Sequence, residues 1–422
     1  MKFMLSLLPS IPCTLEERAA LRPIAARTDR FQNMLREVGE LAHIAEDLGF
    51  NVITTVEHHL HEEGLEMGGT AAFHHFIASR TKHIRIGPIG YVLPAWNPLR
   101  LAIETAWLDQ LTQGRAIVGL ARGYQTRWFN NMAQKYGASS TASSGPTGGT
   151  AELGTAFSDK DAINRRAFEE VYEILQLAWS EEAFSFKGEF WEYPFPNDPG
   201  TDWPAHSWTE KYGTPGIVAD GKLKKINVVP KPFQKPHPQI FTAFSASEAT
   251  IKWAAERKIV PTITTTSVES FRRNAELYRS HAQAVGHRFA LGENITSARL
   301  WCLGESREAA LKMAEYTIPA LYYREFGGGF GFWEGFRVAE DEDKWPAGKV
   351  RLPPGEWTLD RLERVGHLVA GTADDIRRGT DELIEAANPE YMQFSVPQGL
   401  IPFDQQVTIL RAYGEKVMPH FA

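Results

Sequence analysis

The feature that most constrains this chain is a repeated alternation of short β-branched runs with amphipathic helical stretches. Residues 31–48 carry Met34, Val38, Leu41, Ala45 and Leu48 at helical spacing, and Gly49 closes the helix. The strand-like run Val52–Val56 follows and stops at Glu57-His58-His59. A helix over roughly 70–80 leads into Ile84–Ile89, and another over about 98–112 leads through Gly114 into Ala116–Leu120. The rhythm resumes with Gln239–Ala243, a helix near 247–257, Ile259–Thr264, a helix near 267–285 and a strand near 295–303. Lys2–Leu8 reads as the first strand, since Pro9, Pro12 and the following Glu16-Glu17 break any signal-peptide pattern. Strand–helix repeats of this kind build a parallel sheet. Six or more units, with no GxGxxG turn after the first strand, favour a closed (β/α)₈ TIM barrel over an open dinucleotide-binding sheet.

Three segments interrupt the alternation. Residues 137–160 are rich in Gly, Ser and Thr and read as a loop. Residues 187–238 read as an irregular excursion with short strands, and residues 326–357 mix Gly with Phe and Trp. Each is too short or too irregular to close its own core, so residues 1–422 read as a single barrel domain with insertions. With 43% hydrophobic residues the chain has ample material for a sizeable core. A formal net charge of -7 gives no electrostatic case for nucleic acid or an anionic membrane. Two cysteines, Cys13 and Cys302, cannot build a disulfide framework and agree with a cytoplasmic location. No apolar stretch reaches the ~18 residues a membrane span requires.

A barrel carries its chemistry in the loops after the strand C-termini, and three motifs fall there. Glu57-His58-His59-Leu60-His61 ends strand two. Later strand ends offer no HxH or Asp cluster to complete a metal site, so His58 is read as an acid–base group beside a pocket. His59 suits either that role or a structural bond, and His74 and His75 fall in a helix as packing or surface residues. Gly119-Leu120-Ala121-Arg122-Gly123-Tyr124 ends strand four. The Arg122 guanidinium suits capture of a phosphate or carboxylate, or else pairing with a barrel acid. Thr242-Ala243-Phe244-Ser245-Ala246-Ser247 ends strand five and opens a helix. Hydroxyls there suit a phosphate seat, while Ser247 suits an ordinary N-cap equally well.

The segments LGFNVITTVEHH, HIRIGPIGYVLPAWNPLRLAIETAWLDQLTQGRAIVGLARGYQ, KPHPQIFTAFSASEATIKWAAER and VAGTADDIRRGTDELIEAA, in this order, resemble the luciferase-like flavin monooxygenases. The resemblance implies a luciferase-like barrel; residues 137–160 and 326–357 stand apart as long loop insertions at the barrel mouth, particular to this chain or its near relatives and expected to cap it and choose the substrate. It implies that Arg122 and Ser245 hold the phosphate of reduced FMN, with Ser247 and Thr250 nearby. It implies that His58 supports formation of a flavin C4a-hydroperoxide, preceded by the acidic Glu57. Ile89-Gly90 falls at the family's backbone kink against the flavin ring, and Tyr124 is placed with the cofactor-binding residues. Phe244 and Ala121 depart from luciferase itself and argue against bioluminescence.

The function so implied is oxidation of a small organic substrate by FMNH₂ and O₂. A separate reductase supplies the flavin, because no nicotinamide fingerprint is present. Trp96, Tyr124, Trp128, Phe129 and Phe330 point to an apolar or aromatic substrate. An F420-dependent oxidoreductase on the same barrel and a non-catalytic flavin-binding protein are the alternatives. Relatives of this kind imply a homodimer or higher homo-oligomer. The run Gly87-Pro88-Ile89-Gly90 predicts a bulge and a non-proline cis bond at Ile89–Gly90, since a regular strand avoids Pro and paired glycines.

Overall fold

The computed structural model describes residues 1–68, 71–141, 159–243, 247–265, 267–317, 332–346 and 350–421. Among these, eight parallel strands close a barrel: β1 (Lys2–Leu7), β2 (Val52–Thr55), β3 (Arg85–Pro88), β4 (Ile117–Ala121), β5 (Gln239–Thr242), β6 (Val260–Thr264), β7 (Thr296–Ala298) and β8 (Tyr391–Ser395). β8 pairs with both β1 and β7. The remaining seam, between β3 and β4, closes through Ile86 N–H to the Arg115 carbonyl at 2.9 Å and a bridge from Ile86 to Ala116. Helices α1 (Thr28–Asp47), α2 (Ala71–Ser79), α3 (Pro98–Leu111), α4 (Asp159–Ser180), α5 (Glu248–Glu256), α6 (Val268–Ala284) and α7 (Ala373–Ala387) cover the outside.

Alternation along the strands sorts side chains between two cores. Phe3, Leu5, Ile53, Val118, Met392 and Phe394 face the helices in the main apolar cluster. Met4, Val52, Ile117, Phe241, Val260 and Tyr391 form a separate cluster that plugs the barrel interior. Two residues further along the same strands, the same face carries Ser6, Thr54, Gly119, Ala243, Thr262 and Gln393. The inner wall therefore changes from bulky and apolar to small and hydroxyl-bearing toward the strand C-termini.

The third strand is interrupted where Pro and Gly predict it. The Ile89–Gly90 peptide is cis, and the chain resumes as a short strand, Tyr91–Val92, paired with Leu120 and Ala121 of β4. The backbones approach so closely that a Cβ at Gly119 would lie 2.2 Å from the Pro88 oxygen, and one at Gly87 would lie 2.1 Å from the Ile117 oxygen.

Two elements differ from the sequence reading. The strand near 295–303 is broken at Arg299 into β7 and a second strand, Leu300–Leu303. Leu300–Leu303 leaves the barrel to pair with Leu368–Gly371. The buried Arg299 guanidinium, bonded to the Gly366 and Gly379 carbonyls, marks the departure. The 22-residue helix α4 was hidden by the Gly/Ser-rich stretch before it, although Ala167, Val171, Ile174, Leu175 and Ala178 carry helical spacing and are buried.

Residues 181–238 do form an irregular excursion, with a two-stranded ribbon (Phe186–Lys187 with Glu192–Tyr193), three more short strands and a helix over His206–Tyr212. It returns to β5 past the C-terminal end of α3, where Gln234 bonds both Asp109 oxygens and the Ala116 carbonyl. Within the third insertion, Trp333 and Phe336 pack with Leu362 and Leu368 in a small cluster of their own. The buried Arg361 guanidinium grips Asp341 there at 2.6 and 3.0 Å.

Candidate active site

The end of β2 is sewn into a tight loop. His58 N–H meets the Gly68 carbonyl, Met67 N–H meets the Pro9 carbonyl, and Ile11 N–H meets the Gly64 carbonyl, so residues 57–68 lie against the loop after β1. Within this loop Glu57 is buried and both its oxygens are taken. Val92 N–H donates to Oε2 at 2.5 Å, and Trp96 Nε1–H and His59 Nε2 reach Oε1 at 2.9 Å each. Three donors hold Glu57 as a clamp between β2 and the chain after the cis bond. His59 is accordingly structural: it bonds Glu57 and meets Trp128 edge-on at 5.0 Å.

His58 points the other way. Its Nε2 lies 3.3 Å from the Tyr124 hydroxyl, and its ring stacks on His61 with centroids 5.4 Å apart. Strand ends two and four thus meet at this pair. His61 is also buried, its ring nitrogens 2.7 Å from the Leu65 carbonyl and 2.7 Å from Gln125 Oε1. Burial, then the neighbouring His58, lowers its pKa, while the bonds to Gln125 and Leu65 act in the opposite sense. His74 is a packing residue: fully buried against Thr55 Oγ1 at 2.8 Å, it has a pKa pushed down to about 3 by desolvation.

Arg122, at the end of β4, faces Asp161 on the first turn of α4 at 3.3 Å. Its backbone carbonyl accepts from Asn164 Nδ2 at 3.0 Å, and Asn164 also holds the Ser139 carbonyl. Burial lowers the Arg122 pKa, and Asp161 opposes the shift. Neither Asp161 nor Asn164 was singled out from sequence. The end of β5 lies directly beside this strand end, Ala243 N–H bonding the Leu120 carbonyl at 3.0 Å. Ser245 and Phe330 lie outside the described residues, as do residues 142–158 of the first insertion and 326–331 of the third. Ser247 is the N-cap of α5, its hydroxyl 3.3 Å from Thr250 N–H and 2.9 Å from the Thr250 hydroxyl. The phosphate-seat reading of that turn therefore competes with an observed cap. Ile89 is buried beside the interior plug, and Gly90 lies against Gly119 and Leu120.

Above the plug the inner wall carries Gly119, closed off by the β3 backbone, and Ala243, packed against the plug. The Thr262 hydroxyl, 1% exposed, has no hydrogen-bond partner among the described residues. An orphaned buried hydroxyl is costly, and a polar ring edge would satisfy it. The 57–68 loop rims an apolar cleft of about 720 Å³ lined by His58 and His61 together with Phe31, Met34, Met67 and Phe73. A larger groove of about 860 Å³ lies between α6 and α7. None of the site residues lines it, and several of its charges pair with one another, as in Arg299–Glu382, Arg307–Glu363 and Arg378–Asp375. No group of three metal-ligating side chains occurs among the described residues. No described helix is long and apolar enough to cross a membrane.

Residues 1–387 match the family model described as luciferase-like monooxygenase. The chain is 24% identical over 248 residues to 3,6-diketocamphane 1,6-monooxygenase of Pseudomonas putida, covering 58% of each chain. It is 26% identical over 212 residues to the oxygenase component of flavin-dependent trigonelline monooxygenase from Acinetobacter baylyi, covering 49% of this chain and 42% of that one. The matched region thus spans about half the length of these curated relatives. Among solved structures, the oxygenating constituent of 3,6-diketocamphane monooxygenase from Pseudomonas putida, in complex with FMN, superposes with a TM-score of 0.68 at 18% identity. That match covers 100% of this chain and 99% of the other. The family match ends at residue 387, yet β8, at Tyr391–Ser395, is the strand that closes the barrel.

Proposed function

The chain belongs to the luciferase-like monooxygenases, and on that premise we propose that it uses reduced FMN and dioxygen to oxidise a small apolar or aromatic organic molecule. The observation that carries this reading is the meeting of His58 and Tyr124, 3.3 Å apart, at the mouth of a barrel whose upper wall is small and hydroxyl-bearing. When bound, reduced FMN would supply two electrons to O₂, the substrate supplying the other two as it takes up one oxygen atom and the second leaves as water.

The chain's own residues do the rest. Arg122 holds the flavin phosphate by a charge-assisted pair, aided by the Ser245–Thr250 turn. Thr262 bonds the ring edge, and Ile89-Gly90 forms the backbone wall beside it. His58 holds or moves a proton next to Tyr124, and Glu57 positions the loop that carries it. We read residues 1–422 as one domain, located in the cytoplasm and acting with a separate flavin reductase. Association as a homodimer or higher homo-oligomer is part of this reading.

Purified protein is expected to be nearly colourless, to bind FMNH₂ more tightly than oxidised FMN, and to consume oxygen only when a reductase is added. Anaerobic titration with FMNH₂ and with reduced F420 tests this. Tighter binding of reduced F420, without oxygen-dependent turnover, would transfer the chain to the hydride-transferring reading.

Arg122→Ala separates the two partners open to that guanidinium. If it holds phosphate, the lost charge-assisted bond is worth roughly 1.5–3 kcal/mol. That corresponds to about 10- to 150-fold weaker FMNH₂ binding, with little change for reduced riboflavin. Equal losses for the two flavins would assign Arg122 to Asp161 alone.

A further inference from the structure

Glu66 is a carboxylate that no sequence motif marks, and it is buried, 6% exposed, inside the loop after β2. Its backbone sits at φ 48°, in the left-handed region that a Glu rarely adopts. Ser10 secures it there, the Glu66 N–H reaching Ser10 Oγ at 3.0 Å. This conformation brings Oε2 to 3.4 Å from His58 Nδ1. The contact is electrostatic, since His58 Nδ1 makes no hydrogen bond among the described residues.

The groups around His58 bear on which of its ring nitrogens carries the proton. Trp128 Nε1–H can only donate, and it lies 2.8 Å from Gln125, so the facing atom is Oε1. The other end of that amide, Nε2, therefore donates to the Tyr124 hydroxyl at 3.0 Å. A carboxylate only accepts, so Glu66 favours the His58 tautomer with its proton on Nδ1. Nε2 is then left as a lone pair directed at the Tyr124 hydroxyl.

We propose that Glu66 is a positioning residue that holds His58 in the Nδ1–H tautomer, so that Nε2 serves as a base toward Tyr124, with Gln125 orienting that hydroxyl. The tautomer assignment stands on geometry alone, and its catalytic consequence rests on the monooxygenase reading above. The charged and titratable neighbours of His58 in this arrangement are Glu66, His61 and Tyr124.

Nitrogen-15 NMR of the full-length protein labelled at histidine tests the assignment directly, with the His58 signal identified by its loss in His58→Gln. The expected spectrum shows His58 protonated at Nδ1 in the unaltered protein and shifted toward Nε2 protonation in Glu66→Gln. In turnover, Glu66→Gln should lower product formation about 10- to 100-fold, the range seen when a partner orienting a functional histidine is lost. FMNH₂ affinity should stay within about 3-fold, and Glu66→Asp should recover part of the activity. His58 protonated at Nε2 in the unaltered protein, or an unchanged tautomer in Glu66→Gln, overturns the proposal. Where Glu66→Gln does not fold, Tyr124→Phe replaces it. Loss of the Nε2 partner must then move the Nε2 resonance, and an unmoved resonance overturns the proposal. An Nδ1–H tautomer in a protein that does not bind FMNH₂ supports the assignment and removes the cofactor reading instead.

Discussion

Replacing His58 with alanine is expected to cut product formation about 10²- to 10⁴-fold, the contribution of a positioned acid–base group. FMNH₂ affinity should remain within a few fold, because the phosphate contact is assigned to strand ends four and five, away from the β2 loop. His58 is buried at 8% exposure, stacks on His61 and faces Tyr124, so the substitution removes both a proton carrier and part of a packed cluster. A stopped reaction with normal oxygen uptake, the balance appearing as hydrogen peroxide, is the signature of lost chemistry. A comparable fall in thermal stability and in every activity would instead mark His58 as packing. Near-normal turnover and coupling would move the proton chemistry to Tyr124 or His61.

The second large effect is expected at Gly119. A Cβ there would lie 2.2 Å from the Pro88 oxygen and 2.6 Å from Ile89 Cα, both backbone atoms that a rotamer change cannot move. Gly119→Ala must therefore push β3 and β4 apart at the seam that closes the barrel. Overpacking of a well-packed interior typically costs about 1–3 kcal/mol. Backbone on both sides puts this case at about 3 kcal/mol or above, read as a lowered urea midpoint or as insoluble protein. By contrast, Ala at Gly355, where nothing lies within 4 Å, should leave the midpoint unchanged and serves as the control. An unchanged midpoint for Gly119→Ala would mean that the seam yields, and that the glycines at 87, 90 and 119 answer to the ligand and not to the strand contact.

The same seam shows how much was legible in the chain. Gly87-Pro88-Ile89-Gly90 disclosed an interrupted strand because Pro lacks a donor and Gly lacks a Cβ, both local properties. The helices and strands of the first half were legible for the same reason: periods of 3.6 and 2 are written within a dozen residues. Helix α4 was legible in principle through Val171, Ile174, Leu175 and Ala178, but it lies between the Gly/Ser-rich loop and the irregular excursion and interrupts the strand–helix alternation that organised the reading. The break at Arg299 was not legible, since its cause is a pair of carbonyls, Gly366 and Gly379, 67 and 80 residues away.

For the site, the sequence by itself determined which strand ends carry the candidate side chains: His58 after β2, Arg122 and Tyr124 after β4. Strand order and alternation alone decide that much. Only the tertiary structure decided what each of them faces. Glu57, adjacent to His58 in sequence, turned out to be consumed by Val92, Trp96 and His59. Asp161 reaches Arg122 from 39 residues away, and Gln125 reaches His61 from 64. Glu66 reaches His58 only because its backbone is held left-handed by the loop after β1. The physical reason is that periodicity reports the direction of a side chain relative to its own element. A charge or hydrogen-bond partner depends on how separate elements pack, and no local pattern encodes that.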